Sequence, residues 1–330
     1  MAIKRRKLGN SEIEVAPLAF GGNVFGWTVD EPTSFELLDA FVGAGFNLVD
    51  TADAYSAWAP GNTGGESETI IGNWLARGGT RREDVVIATK VGWEMRGEKG
   101  LKKSYILRSA EESLRRLRTD YIDLYQSHKD DPETPQEETL EAYAELIRQG
   151  KVRAIGASNF SAERLREALS VSEQNGLPRY ESLQPLYNLY DREPFEAELE
   201  PLCLEQHVGV INYYALASGF LSGKYRSEDD LGKSARGGGI GKKYLNERGF
   251  RILAALDEVS ARLGATPAQV SLAWLISRPS VTAPIASATS VEQLNELVEA
   301  TRLELDEAAL RLLDEASAWR EDAAAMNSSA

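Results

Sequence analysis

The sequence predicts an α/β fold, a (β/α)8 barrel of the TIM type with a β-hairpin ahead of it. Three observations carry this. Eight short apolar runs recur along the chain, at 17–22, 47–50, 85–90, 122–126, 152–158, 182–184, 209–214 and 281–286. Amphipathic stretches with helical spacing follow them, at 34–42, 66–77, 103–117, 135–149, 161–174, 194–207, 250–263 with 266–277, and 290–301. Strands this short cannot pair in parallel without crossovers, and each crossover has a helix to supply it. Eight such units close into a barrel. A doubly wound open sheet is the alternative, and the number of strands favours the barrel.

The elements can be justified in order. Lys4 to Lys7, then Gly9-Asn10-Ser11, then 12–15 reads as a hairpin. Ser161 offers a cap, Thr266-Pro267 places proline at a first helical position, and Asp306 opens a C-terminal helix over 306–319. Two loops are long, 56–65 and the stretch 222–248 after the seventh strand. The second holds Gly237-Gly238-Gly239-Ile240-Gly241, which is not in a tight strand-to-helix turn and is expected to be a flexible loop rather than a dinucleotide fingerprint. No Pro-, Gly- or Ser-rich linker divides the chain. Residues 1–320 are expected to form one domain, and 321–330 a disordered tail.

Composition narrows the function. Of 330 residues 42% are hydrophobic, ample for a large core, and the net charge of −14 argues against a broad nucleic-acid or anionic-membrane footprint. The lone Cys203 permits no intrachain disulfide; it fits a reducing compartment and a buried structural thiol. No apolar stretch with a small-residue cleavage site follows the charged start, and none approaches the ~20 residues of a membrane span. A cytoplasmic protein is expected. Two distant histidines and one cysteine give no metal-ligand spacing, so no metal is expected.

In a barrel the C-terminal strand ends share one mouth. Asp50 and Tyr55 follow the second strand, Lys90 the third and His128 the fourth. Ser158 and Asn159 follow the fifth, Gln184 the sixth, and Tyr213 with Tyr214 the seventh. Taken singly, each has a plain structural reading, as a cap or a solvated charge. Together they suit one chemistry. A free phenol, with a pKa near ~10, is a poor proton donor at neutral pH. A nearby ammonium stabilises its phenolate and lowers that value. Asp50 would keep Lys90 charged, and His128 would orient a carbonyl oxygen toward Tyr55, a general acid for an alkoxide. None of these groups is a reductant, so a nicotinamide cofactor is expected. A lyase using Lys90 as a Schiff base is the rival. Trp27, Trp58 and Trp93 follow the first three strands and are expected to wall a substrate pocket for an apolar or aromatic carbonyl compound, or a sugar.

With these residues in place, the chain resembles the aldo-keto reductase superfamily over nearly its whole length. The stretch from Gly45 to Tyr55 is similar to the family's first signature, and Asp50, Tyr55, Lys90 and His128 match its tetrad. The resemblance implies a (β/α)8 barrel that binds NADP(H) without a Rossmann fold and reduces aldehydes and ketones. It implies that Ser158 and Asn159 hydrogen-bond the nicotinamide carboxamide, that Gln184 is a third nicotinamide contact and that Tyr213 stacks on the ring. Leu216, Ser218, Leu221 and Lys224 match the pyrophosphate loop, and Ser287, Thr289 and Gln293 fall where the adenosine phosphate is held. The loop over 56–62 resembles a bacterial subgroup related to sugar and small-aldehyde reductases. Two departures stand out. The usual Tyr-Ser-Pro-Leu is Tyr213-Tyr214-Ala215-Leu216, and 286–290 lacks the arginine or lysine that pairs with a 2′-phosphate. NADP(H) is expected first, with NAD(H) as the alternative. The superfamily also includes channel-associated regulatory subunits, a third reading.

Overall fold

The structure is a computed structural model, and it describes residues 3–95, 97–233 and 237–319; the expected tail at 321–330 lies outside them. Strands β1 (Arg6–Lys7) and β2 (Glu14–Val15) pair antiparallel as the hairpin. The other strands are β3 (Ala19–Gly21), β4 (Leu48–Asp50), β5 (Val86–Val91), β6 (Ile122–Ser127), β7 (Val152–Ser158), β8 (Tyr180–Gln184), β9 (Gly209–Val210) and β10 (Ile285–Ala286). They form one eight-stranded parallel sheet in the order β10-β3-β4-β5-β6-β7-β8-β9. The sheet closes on itself: Thr282 N–H donates to Val210 O at 2.8 Å and Ile285 N–H to Asn212 O at 2.9 Å. The barrel expectation holds.

Helices α1 (Glu31–Gly43), α2 (Glu66–Arg77), α3 (Lys103–Leu117), α4 (Gln136–Arg148) and α5 (Ala162–Asn175) fill the first five crossovers. Then come α6 (Glu193–Glu196), α7 (Leu199–Glu205), α8 (Gly237–Tyr244), α9 (Glu247–Leu263), α10 (Pro267–Ser277), α11 (Val291–Glu299) and α12 (Glu307–Ala316). Asp30, Ser161, Ser290 and Asp306 accept N-cap hydrogen bonds, and Thr266 with Gln269 forms a full capping box.

Three expectations need correction. The single helix over 194–207 is two, α6 and α7, because Pro201 cannot bond to the carbonyl four residues back and breaks the run at 197–198. The glycine run is not a loop; it opens α8. There a Cβ on Gly237 would lie 1.7 Å from Leu231 O, so close packing demands glycine, and buried Ile240 and Tyr244 anchor the helix. Finally, β9 and β10 are shorter than expected, since Pro185 and Pro284 interrupt the ladders with residues that cannot donate.

Period-two alternation explains how the barrel presents its chemistry. Leu48, Ala88, Leu124, Ala154, Ile211, Ala283 and Ile285 form one apolar cluster, joined by Leu8, Ile13 and Val15 of the hairpin region. Two residues beyond Leu48, Ala88, Leu124 and Ile211 come Asp50, Lys90, Gln126 and Tyr213, so these inward faces carry polar groups at the other end. The register aligns them: Gly21 pairs with Asp50, Lys90 with Gln126, and Ser158 with Gln184.

Candidate active site

Lys90 is the centre of the polar layer. Its Nζ donates to Asp50 Oδ2 at 2.7 Å, Thr51 O at 2.8 Å and the Tyr55 hydroxyl at 2.9 Å. Lys90 and Asp50 are almost wholly buried, at 0% and 2% exposure. The second oxygen of Asp50 accepts from Gln184 Nε2 at 2.8 Å and from Gln126 Nε2 at 3.4 Å, so the carboxylate is held on both sides. Tyr55 is half-buried; its ring lies 4.5 Å below the ammonium and 5.8 Å from the His128 ring, centroid to centroid. The structure thus brings all four expected tetrad residues together.

The electrostatics differ from the sequence-based expectation in one respect. Burial pushes the Tyr55 phenol well above its ordinary value, and the Asp50 carboxylate adds to this. The expectation considered the ammonium alone and left out desolvation, which disfavours the phenolate. The phenol is therefore fully protonated at rest, the form a proton donor needs. Burial also lowers Lys90, against the pull of Asp50. His128 is driven well below its usual range by burial and by the Lys90 charge, so its imidazole is neutral. Its buried Nδ1 has no hydrogen-bond partner among the described residues.

Beside the tetrad, Asn159 sits in the left-handed region at φ +55°. Its Nδ2 donates to His128 O at 2.9 Å and Ser158 Oγ at 3.1 Å, while its Oδ1 accepts from the Tyr213 hydroxyl at 2.8 Å. Ser158 Oγ donates to Gln184 O at 2.8 Å. Ser158, Asn159, Gln184 and Tyr213 therefore form one connected floor next to Lys90 and Asp50. Exposed Trp58 packs edge-on to Tyr55 at 5.7 Å and to Trp27 at 5.8 Å, and exposed Trp93 lies 5.3 Å from His128. All three tryptophans stand at the mouth. The loop carrying Trp58 is pinned by Ser56 Oγ donating to Phe25 O at 2.6 Å and Asn62 Nδ2 to Gly26 O at 2.7 Å.

After β9 the chain makes a left-handed turn at Ser218 (φ +60°) and Gly219 (φ +100°), a backbone concavity of the kind that receives anions. Lys224 lies along it: a Cβ on Gly219 would come within 3.5 Å of its Nζ. Half-buried Leu216 anchors the turn, its carbonyl accepting from Gly219 N–H and Leu221 N–H. Leu221 closes the turn, its side chain fully buried and its N–H donating to Leu216 O at 3.2 Å. Ser287 Oγ donates to Gly21 O at 2.7 Å, and Gln293 Oε1 accepts from the Thr289 amide and hydroxyl, both at 3.0 Å. These three residues tie the segment ahead of α11 together, and Thr289 also borders a cavity of about 570 Å³ lined by Trp27, Thr28 and Asp30. Cys203 is buried, its thiol pushed up to about 12 by burial, as a structural cysteine should be.

Sequence reasoning assigned no role to Gln126, which braces Asp50, or to buried Asp53 with Glu68 and Arg116 behind the strand wall. Asp53 lies inside the most informative stretch of the chain, yet nothing local signals its burial. Among the described residues no cluster of His, Cys, Asp and Glu is arranged to hold a metal, and no helix is long and apolar enough to cross a membrane.

Comparison with known proteins agrees with this geometry. The chain is 35% identical over 315 residues to the uncharacterised oxidoreductase YrpG of Bacillus subtilis (strain 168), covering 93% of this chain and 94% of that protein. It is 33% identical over 329 residues to protein tas of Escherichia coli (strain K12), with 91% and 94% covered. It is 34% identical over 303 residues to a probable voltage-gated potassium channel subunit beta of Oryza sativa subsp. japonica, with 89% and 90% covered. The sequence model of the aldo/keto reductase family matches residues 17–318. That match runs from the first barrel strand to the last helix, and the chain belongs to the aldo/keto reductase family of oxidoreductases.

Proposed function

We propose that this protein is a cytoplasmic nicotinamide-dependent reductase that converts aldehydes or ketones to alcohols, with Tyr55 as the general acid. The observation that carries the reading is the Lys90 ammonium, bonded at once to Asp50 and to the Tyr55 hydroxyl at the mouth of the barrel. The residues fit a dinucleotide. The left-handed turn at Ser218-Gly219 with Lys224 suits a pyrophosphate, half-exposed Tyr213 offers a ring face, and Ser158, Asn159 and Gln184 surround the position a carboxamide would take. When bound, the nicotinamide supplies the hydride.

The side chains do the rest. His128, neutral and therefore able to share a proton without repelling Lys90, orients the carbonyl oxygen. Tyr55 gives its proton to that oxygen as it becomes an alkoxide, a stronger base than a phenolate even where burial weakens the phenol as an acid. Lys90, 2.9 Å from the phenol oxygen, stabilises the phenolate left behind. NADP(H) is the preferred dinucleotide and NAD(H) the alternative. Thr289 and Gln293 flank the N-terminus of α11, which favours a phosphate, but no arginine or lysine lies between 286 and 293.

A Schiff-base lyase is disfavoured because three hydrogen bonds occupy the three protons of Lys90, and a nucleophile needs the neutral amine. The similarity to a channel beta subunit supports a second reading, a cofactor-binding subunit with slow turnover. Titrating NADPH and NADH against tryptophan fluorescence, then following cofactor oxidation with a panel of aldehydes and ketones, separates the two. Binding with turnover supports the reductase. Binding without turnover on any carbonyl compound favours the regulatory reading, and no binding of either dinucleotide contradicts both.

A further inference from the structure

A second ionisable cluster lies on the helix side of the strand wall, directly behind Lys90. Asp53 is 1% exposed, its backbone N–H donates to Lys90 O at 3.2 Å, and neither of its carboxylate oxygens has a hydrogen-bond partner among the described residues. The charged groups facing it come from three elements. Lys90 is on β5. Glu68 is on α2 and accepts from Thr89 Oγ1 at 2.5 Å. Arg116 is on α3 and donates to Glu68 at 2.6 Å. Tyr105 of α3 and Tyr125 of β6 feel the Asp53 charge, and the Tyr125 hydroxyl is also buried and unpartnered. Arg116 is committed to Glu68, and among the described residues no cation hydrogen-bonds to Asp53.

Resting on the reductase reading, we propose that Asp53 is a positioning residue whose ionisation weakens Tyr55 as an acid and so sets the alkaline limit of carbonyl reduction. The physical chain is short. A buried carboxyl whose anion is only weakly held stays protonated, and burial followed by the Glu68 charge pushes it up to about 8, against the neighbouring Ala54 N–H, Arg116 and Lys90. While Asp53 is neutral, Asp50 and, more weakly, Glu68 balance the Lys90 ammonium, and the remaining field of that ammonium favours the Tyr55 phenolate. When Asp53 loses its proton, a further anion faces Lys90 from behind. The ammonium is then over-compensated, proton release from Tyr55 becomes harder, and reduction slows. Asp53 touches neither substrate nor cofactor, so its effect passes entirely through Lys90.

The test is the pH dependence of kcat/KM for carbonyl reduction in wild type and Asp53→Asn, joined to isotope-edited infrared titration of wild-type protein carrying labelled aspartate. The proposal expects similar turnover near neutral pH and an alkaline limb that moves up by about one pH unit or more in the variant. A purely structural role would lower activity at every pH and leave the limb in place. The infrared titration needs no turnover and no folded variant. It expects a protonated-carboxyl band at neutral pH that disappears as the solution is made alkaline. Turnover with an unmoved limb, or no such band at neutral pH, overturns the proposal and leaves the reductase reading standing. A band with no wild-type turnover at any pH overturns the reading beneath it, and the role in turnover with it.

Discussion

Lys90 has three protons and three acceptors, all within 2.9 Å, in a place with no access to water. Replacing it with methionine, of similar length, would leave Asp50 buried without its cation. The expected cost is about 3–5 kcal/mol of stability in chemical denaturation, together with a loss of turnover of at least ~100-fold. Asp53 gives a second prediction, about stability. Its folded-state value of about 8 lies above the ~4 of an unfolded aspartate, so the folded state keeps a proton that the unfolded chain releases. That contribution is full below about pH 4 and is lost as the pH rises toward 8. Asp53→Asn should therefore gain on wild type across this window, by about 5 kcal/mol in all, and the gap should level off above it. Denaturation at several pH values measures the gap, and a constant gap would contradict the assignment. Asp50, Tyr55, Lys90 and His128 were legible in the sequence because strand-end position alone brings them to one mouth. Asp53 was not, since its environment is made by Glu68 and Arg116 on two helices whose packing no local pattern reveals.

Between elements, α2 and α3 approach each other closely. A Cβ on Gly72 would lie 2.0 Å from Arg116 O, a backbone atom that can yield only if the helix moves. Gly72→Ala should destabilise the protein by about 1–3 kcal/mol in denaturant titration, although alanine favours an isolated helix. The turn between β9 and α8 should behave differently. Lys224→Ala should leave stability unchanged within about 0.5 kcal/mol. It should weaken dinucleotide binding by roughly 10-fold or more, the weight of a charge-assisted hydrogen bond, as read by fluorescence titration. Most elements followed from periodicity and caps. The split between α6 and α7 was visible in Pro201 but outweighed by the amphipathic pattern around it. The helix at Gly237–Tyr244 was hidden because glycine argues against a helix wherever tertiary contact does not require one.

For the whole molecule, the barrel's inward faces divide the work. One end is an apolar plug completed by the hairpin region, and the other is a ring of polar groups held rigid by the strand ladders. A rigid scaffold of this kind suits a reaction that needs Tyr55, Lys90 and a carbonyl oxygen aligned to within hydrogen-bond distance. The closed-barrel architecture was legible from eight alternating units, whereas the electrostatics of the mouth depended on burial that only the assembled fold creates. The central claim is that Tyr55 donates the proton in a nicotinamide-dependent reduction. The most direct measurement compares wild type and Tyr55→Phe in steady-state cofactor oxidation with an aldehyde, alongside cofactor affinity from fluorescence. The account predicts turnover in the wild type, a fall of at least ~100-fold in the variant, and cofactor affinity unchanged within about twofold. Undiminished turnover in Tyr55→Phe would contradict it.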